Sequence, residues 1–213
     1  MRKWLLFWGG LLCSVALWAA EATVLVLQVS GEASVDAVGY PPRVLLPFSR
    51  VMVGDTVNLG ADSQVTLVYA ATGRREAWSG AGSFAVGEGE SRKLRGKSSV
   101  EIRQLPAQVA QQMLRTPSLD GEGKVGMVRL RAIAPTDALA RLEARYQELR
   151  NQMPPQDSEP EVFLLSGLFE LGEFERLEQQ LSAVEKRFVG DSSIKVLKSL
   201  YLRAINNARQ AKR

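Results

Sequence analysis

Few residues in this 213-residue chain have the type and spacing for covalent chemistry. There is no histidine, and Cys13 is the single cysteine. That excludes histidine-cysteine zinc sites, a Ser-His-Asp triad and a histidine general base. A serine can use lysine as its base instead, and Ser192-Ser193-Ile194-Lys195 has the S-x-x-K spacing. The companion S-D-N and K-T-G motifs are missing, and helix capping by Asp191 or Ser192 accounts for the pattern. Glycoside hydrolysis needs two carboxylates across one bond, and the best acids are Asp55, Asp62, Glu76, Glu88 and Glu90. Asp55 follows Gly54 and Asp62 precedes Ser63, as turn formers do. Glu88 and Glu90 flank Gly89 and supply too few oxygens for a hard cation. The glycines from Gly80 to Gly89 lack the Lys-Ser/Thr of a phosphate loop. The sequence therefore predicts no catalytic residue, no metal ligand, no small-molecule cofactor and no enzyme.

What remains is the chemistry of contact. Trp78 is the one tryptophan beyond residue 22, and it closes a short strand-like run before Ser79-Gly80. Two roles stay open for it: packing in a core, or a flat platform for a sugar ring or a partner chain. Tyr40, beside Pro41-Pro42, is a second contact residue, and Arg74 and Arg75 near Trp78 suit an anionic ligand. Trp78, Tyr40, Arg74 and Arg75 together form the candidate contact surface.

Residues 1–22 set the compartment. Arg2 and Lys3 precede an apolar run from Trp4 to Trp18, and Ala20-Glu21-Ala22 offers a small-x-small cleavage site. This reads as a secretory signal peptide, which would remove Cys13. The run is shorter than the roughly 20 residues of a comfortable membrane span, and a retained inner-membrane anchor is the alternative. Export places the remaining chain away from ATP, NAD and nucleic acid. The formal charge of +4 is too mild for a polyanion-binding signature. The densest basic run, Arg92-Lys93-Leu94-Arg95-Gly96-Lys97, reads as a solvated face, with contact to an acidic surface as the alternative.

The elements that must hold these residues change period along the chain. Residues 23–105 read as short strands broken by glycine turns: Thr23 to Val29, Glu32 to Val35, Arg43 to Phe48, Thr56 to Leu59, Gln64 to Tyr69, Arg75 to Trp78, Ser83 to Val86 and Ser99 to Arg103. That pattern predicts an antiparallel roll, barrel or sandwich. Residues 106–134 read as a linker, with a short helix from Ala107 to Leu114 and a strand at 125–131 that could return to the sheets. From Pro135 the apolar spacing becomes helical. Helices are expected to Met153, from about Glu161 to Leu171, from Phe174 to Phe188, and after Gly190-Asp191-Ser192. Short links make the last three antiparallel neighbours. The fold class is α+β, with a β unit followed by a helical unit over 135–213.

Two stretches resemble known families. Val29-Ser30-Gly31-Glu32-Ala33-Ser34-Val35, then Phe48 to Leu59 with its Gly54-Asp55 turn, then Gly60 to Tyr69, resemble the FecR-type periplasmic domain. The resemblance covers about a third of the chain and marks strand geometry rather than chemistry. It implies a periplasmic module of a Gram-negative envelope. FecR itself is an envelope signalling protein that couples an outer-membrane siderophore receptor to a sigma factor, and other exported proteins use the domain for binding or assembly. Leu165, Leu168, Phe169, Gly172, Phe174, Leu177, Leu181 and Val184 resemble the packing positions of a tetratricopeptide hairpin, although Leu177 replaces the usual small residue.

The resulting expectation is a non-enzymatic periplasmic binding or scaffold protein whose partner is another envelope protein. Envelope signalling is one alternative. Binding of peptidoglycan or another anionic or glycan polymer, through Trp78 and Tyr40, is the other.

Overall fold

The computed structural model describes residues 23–118 and 137–211. The signal-peptide segment and the expected strand at 125–131 lie outside the described residues.

Among the described residues, ten strands form two antiparallel five-stranded sheets. In chain order they are β1 (Thr23–Ser30), β2 (Ala33–Asp36), β3 (Arg43–Val44), β4 (Arg50–Met52), β5 (Thr56–Leu59), β6 (Gln64–Tyr69), β7 (Arg74–Ser79), β8 (Gly82–Val86), β9 (Ser91–Gly96) and β10 (Ser99–Gln104). The inner sheet has the order β10-β7-β6-β1-β4, and the outer sheet has the order β3-β2-β5-β8-β9. Five helices follow: α1 (Ala107–Met113), α2 (Ala138–Gln152), α3 (Glu159–Leu171), α4 (Phe174–Arg187) and α5 (Ser192–Ala211).

The sheets are built from two long hairpins, each folded across its middle. β1 pairs with β6 in the inner sheet, and their continuations β2 and β5 pair in the outer sheet. β7 pairs with β10 in the inner sheet, and their continuations β8 and β9 pair in the outer sheet. Strands that switch sheets need a sharp corner. At the second corner Gly96 has φ +90°, and a Cβ there would lie 2.4 Å from Gly82 Cα. No residue with a side chain fits that approach. β9 was not expected as a strand. Four cations between Arg92 and Lys97 hide its pairing, which the glycine corners and β8 enforce.

The inner sheet is the middle of three layers. Val24, Val26, Val65, Leu67, Tyr69 and Trp78 pack against Val35, Val57, Leu59, Phe84 and Val86 of the outer sheet. On the other face, Leu25, Leu27 and Val68 join Phe48, Leu105 and the helices in a second core. This explains the unbroken apolar run Val24-Leu25-Val26-Leu27: both faces of the strand are covered. The outer sheet has one wet face, and β2 alternates buried and half-buried accordingly.

α3 is the centre of the helix layer. It contacts α1, α2 and α4, and α5 reaches back to β1. Val162 through Phe169 are all buried, as expected of a helix surrounded by protein. A Cβ at Gly167 would lie 2.4 Å from Leu142 Cδ1, so the glycine lets α2 approach closely. Residues of the β unit and of the helices therefore share a core.

Candidate functional site

The four expected contact residues do not form one surface. β7 sends alternate side chains to opposite faces, which separates them at once. Arg74, Glu76 and Trp78 lie toward the outer sheet, and Arg75 lies toward the helices.

Trp78 is 3% exposed and stacks on Phe84, with ring centroids 4.4 Å apart. Its Nε1 donates to Glu76 Oε2 at 2.9 Å. The platform role is thereby corrected: the ring is spent in the inter-sheet core. Glu76 is fully buried, yet it is well supplied with donors. Its Oε1 accepts from Arg74 Nε at 2.7 Å and from the Ser91 backbone N–H at 3.1 Å. A buried carboxylate needs such partners to offset the hydrogen bonds to water that it gives up. Tyr69 sits in the same layer with its hydroxyl 2.7 Å from Ser91 Oγ, and burial pushes its phenol up to about 12. Arg74 is partly exposed and also reaches Glu90 at 3.3 Å.

Arg75 is buried and is likewise corrected as a ligand-binding candidate. It pairs with Glu159 at the start of α3 and lies 4.0 Å from Asp157. Arg103 of β10, its cross-strand partner, pairs with Asp157. Burial raises the Glu159 carboxyl, with Arg75 pulling the other way. These two arginines meet two acids between the inner sheet and the helices, so they bind the layers together. A second buried pair, Arg150 and Glu161 at 3.0 Å, fixes α2 on α3, and Tyr146 donates to the same carboxylate at 3.4 Å.

Asp55 serves a turn and Asp191 a helix cap. Asp55 Oδ2 accepts from Met52 N at 2.9 Å, and Asp191 Oδ1 accepts from Ser193 N at 2.8 Å. Among the described residues no three acids, cysteines or histidines converge on one point, and no helix is long and apolar enough to cross a membrane. An open groove of about 760 Å³ lies between α2, α3 and α4, with Leu164 and Leu168 along it. Arg176 of α4 bridges to Glu143 of α2 at 2.7 Å beside it.

No family model, curated protein or solved structure matches this chain.

Tyr40 is the one expected contact residue that stands in solvent, 75% exposed. It has company that the sequence reading overlooked. Val38, Val44, Leu46, Met52 and Val53 are exposed large apolar residues on the same stretch of chain. Asp36 pairs with Thr56, so the β2–β3 and β4–β5 turns lie at one end of the outer sheet. Val38, Tyr40 and Val53 are on those turns. The sequence predicts a single strand from Arg43 to Phe48. In the structure β3 has only two residues, both exposed.

Proposed function

We propose that this protein is a non-enzymatic binding or scaffold protein of the cell envelope, acting through protein-protein contact at the Tyr40 rim. The observation that carries the reading is the exposure of Val38, Tyr40 and Val53 on two turns at one end of the outer sheet, with Val44, Leu46 and Met52 also exposed on the same stretch of chain. Exposed apolar groups concentrated on one rim mark interaction sites more often than scattered ones do. The internal use of Trp78, Glu76 and Arg75 supports the same reading, because the aromatic and charged groups suited to a glycan site are already engaged. Export by the first 22 residues and the FecR-type resemblance supply the envelope setting.

The test is a photo-crosslinking residue at Tyr40 in intact cells, with a second at exposed Val189 on the α4–α5 turn for comparison. One dominant protein adduct at Tyr40 and not at Val189 is expected. Glycan adducts, or no adduct at Tyr40, would overturn the reading.

A further inference from the structure

The folded hairpin leaves one long strand at the border of both sheets. β9 is outermost in the outer sheet, and β10 is outermost in the inner sheet. With the Lys97-Ser98 corner they make a single bent edge from Ser91 to Gln104. The opposite border is much shorter: β3 has two residues and β4 has three. An edge of this length presents a row of unpaired backbone donors and acceptors to any chain that can lie alongside.

The edge is also strongly charged. Arg92, Lys93 and Arg95 lie on β9, with Lys97 just after it. Arg92 and Arg95 pair with Ala85 and Ser83, which places them on the wet face of the outer sheet. Among the described residues Arg92, Arg95 and Lys97 form no ion pair, whereas Arg74, Arg75, Arg103, Arg150 and Arg176 each have a carboxylate. Exposed Leu94 lies among these cations, and exposed Val100 and Ile102 of β10 flank Glu101, which pairs with Arg103 at 2.7 Å. Like charges set directly opposite each other destabilise a strand pair, and unlike charges stabilise it. The β9 half of the edge, with Lys97, therefore repels a second copy of itself and attracts an acidic strand, while β10 carries its own Glu101–Arg103 pair.

We propose that the Ser91–Gln104 edge takes up an extended acidic segment of a partner protein as an added β-strand. Main-chain hydrogen bonds would supply the affinity, and the cations would select the partner's charge. The proposal rests on the reading of this chain as a protein-binding protein and adds a second contact, on a different border from the Tyr40 rim.

The probes are three synthetic peptides: an alternating Glu-Val octamer, its Lys-Val counterpart, and the Glu-Val octamer with N-methylated backbone along one edge. Binding is read by fluorescence anisotropy, and amide hydrogen exchange is followed from Ser91 to Gln104. The Glu-Val peptide is expected to bind about tenfold tighter than the Lys-Val peptide or better, to slow exchange along the edge, and to lose binding on N-methylation. The double variant Arg92→Glu with Arg95→Glu changes exposed side chains that have no carboxylate partner among the described residues, and its preference is expected to reverse toward Lys-Val. Equal binding of the N-methylated peptide would reduce the effect to plain anion attraction and overturn strand addition. No binding of Glu-Val, or no reversal in the double variant, would overturn it too. If Tyr40 crosslinks persist while the peptides fail, the edge proposal falls alone. If the peptides bind while Tyr40 captures nothing, the rim reading falls instead.

Discussion

Trp78 lies between two sheets with Phe84 on its face and Glu76 on its nitrogen. Its Nε1 is the donor to Glu76 Oε2, so Trp78→Phe keeps a ring against Phe84 but removes that hydrogen bond. A buried carboxylate oxygen deprived of its donor costs about 2 kcal/mol, and urea unfolding of Trp78→Phe should show a loss of that size. A variant as stable as the parent would mean that the Glu76 contact contributes nothing. Tyr69 and Tyr201 give the pH dependence. Burial raises both phenols, Tyr69 to about 12 and Tyr201 further. Each keeps its proton in the folded state above the ordinary tyrosine value of about 10 and loses it there when unfolded. The unfolded state then binds fewer protons, so stability falls as pH rises from about 10 toward 12. Phenolate absorbance should show Tyr69 and Tyr201 silent until alkaline unfolding, with Tyr146 also raised, by burial and then by the Glu161 charge. At this scale the sequence was half legible. Trp78 and Tyr40 had the same surface signal, an aromatic beside a turn. What separates them is the facing sheet, and a single strand's alternation says which residues share a face without saying what covers it.

Elements were more legible than residues where period and punctuation agreed. The run from Gln64 to Tyr69 and the helix from Phe174 to Arg187 fall within a residue of expectation because their alternation and spacing match what they bury. β9 was illegible for the opposite reason: its side chains are nearly all exposed, so no apolar pattern marks it. Its place is set by glycines. Gly96→Ala should destabilise by at least about 2 kcal/mol, since the new methyl would need both the left-handed backbone at φ +90° and the space held by Gly82. Gly190→Ala is the control. It shares a positive φ of 89° but has nothing within 4 Å, so about 1 kcal/mol is expected. Thermal melts of the pair separate contact from conformation, and equal losses would show that the corner is not tightly packed. The α3 core was foreseen at Leu165, Leu168 and Phe169, all buried. The closeness of α2 was not, because Gly167 in a helix carries no spacing signal of its own.

At the scale of the molecule, the β unit and the helical unit are joined by a shared core. Periodicity reports the face an element buries, and two units can bury their faces on each other. Leu25, Leu27, Val68 and Leu105 belong to the β unit and pack in the helical core. Residues 23–118 expressed alone should therefore bind a hydrophobic dye and melt without cooperativity, and co-expression with residues 137–213 should restore a cooperative transition. A cooperative, dye-free fragment would show that the inner sheet does not need its helical cover. The middle layer also sets an order in time. β1 is the first described strand and α5 the last helix, yet α5 packs on β1, and Gln28 Nε2 donates to Asp191 Oδ2 across 163 positions of sequence. Contacts so distant in the chain form late and slowly. The helix-facing side of β1, at Leu25 and Leu27, therefore waits for α5, made last of the described helices, before it is covered, and a chain growing residue by residue carries that bare side through most of its synthesis.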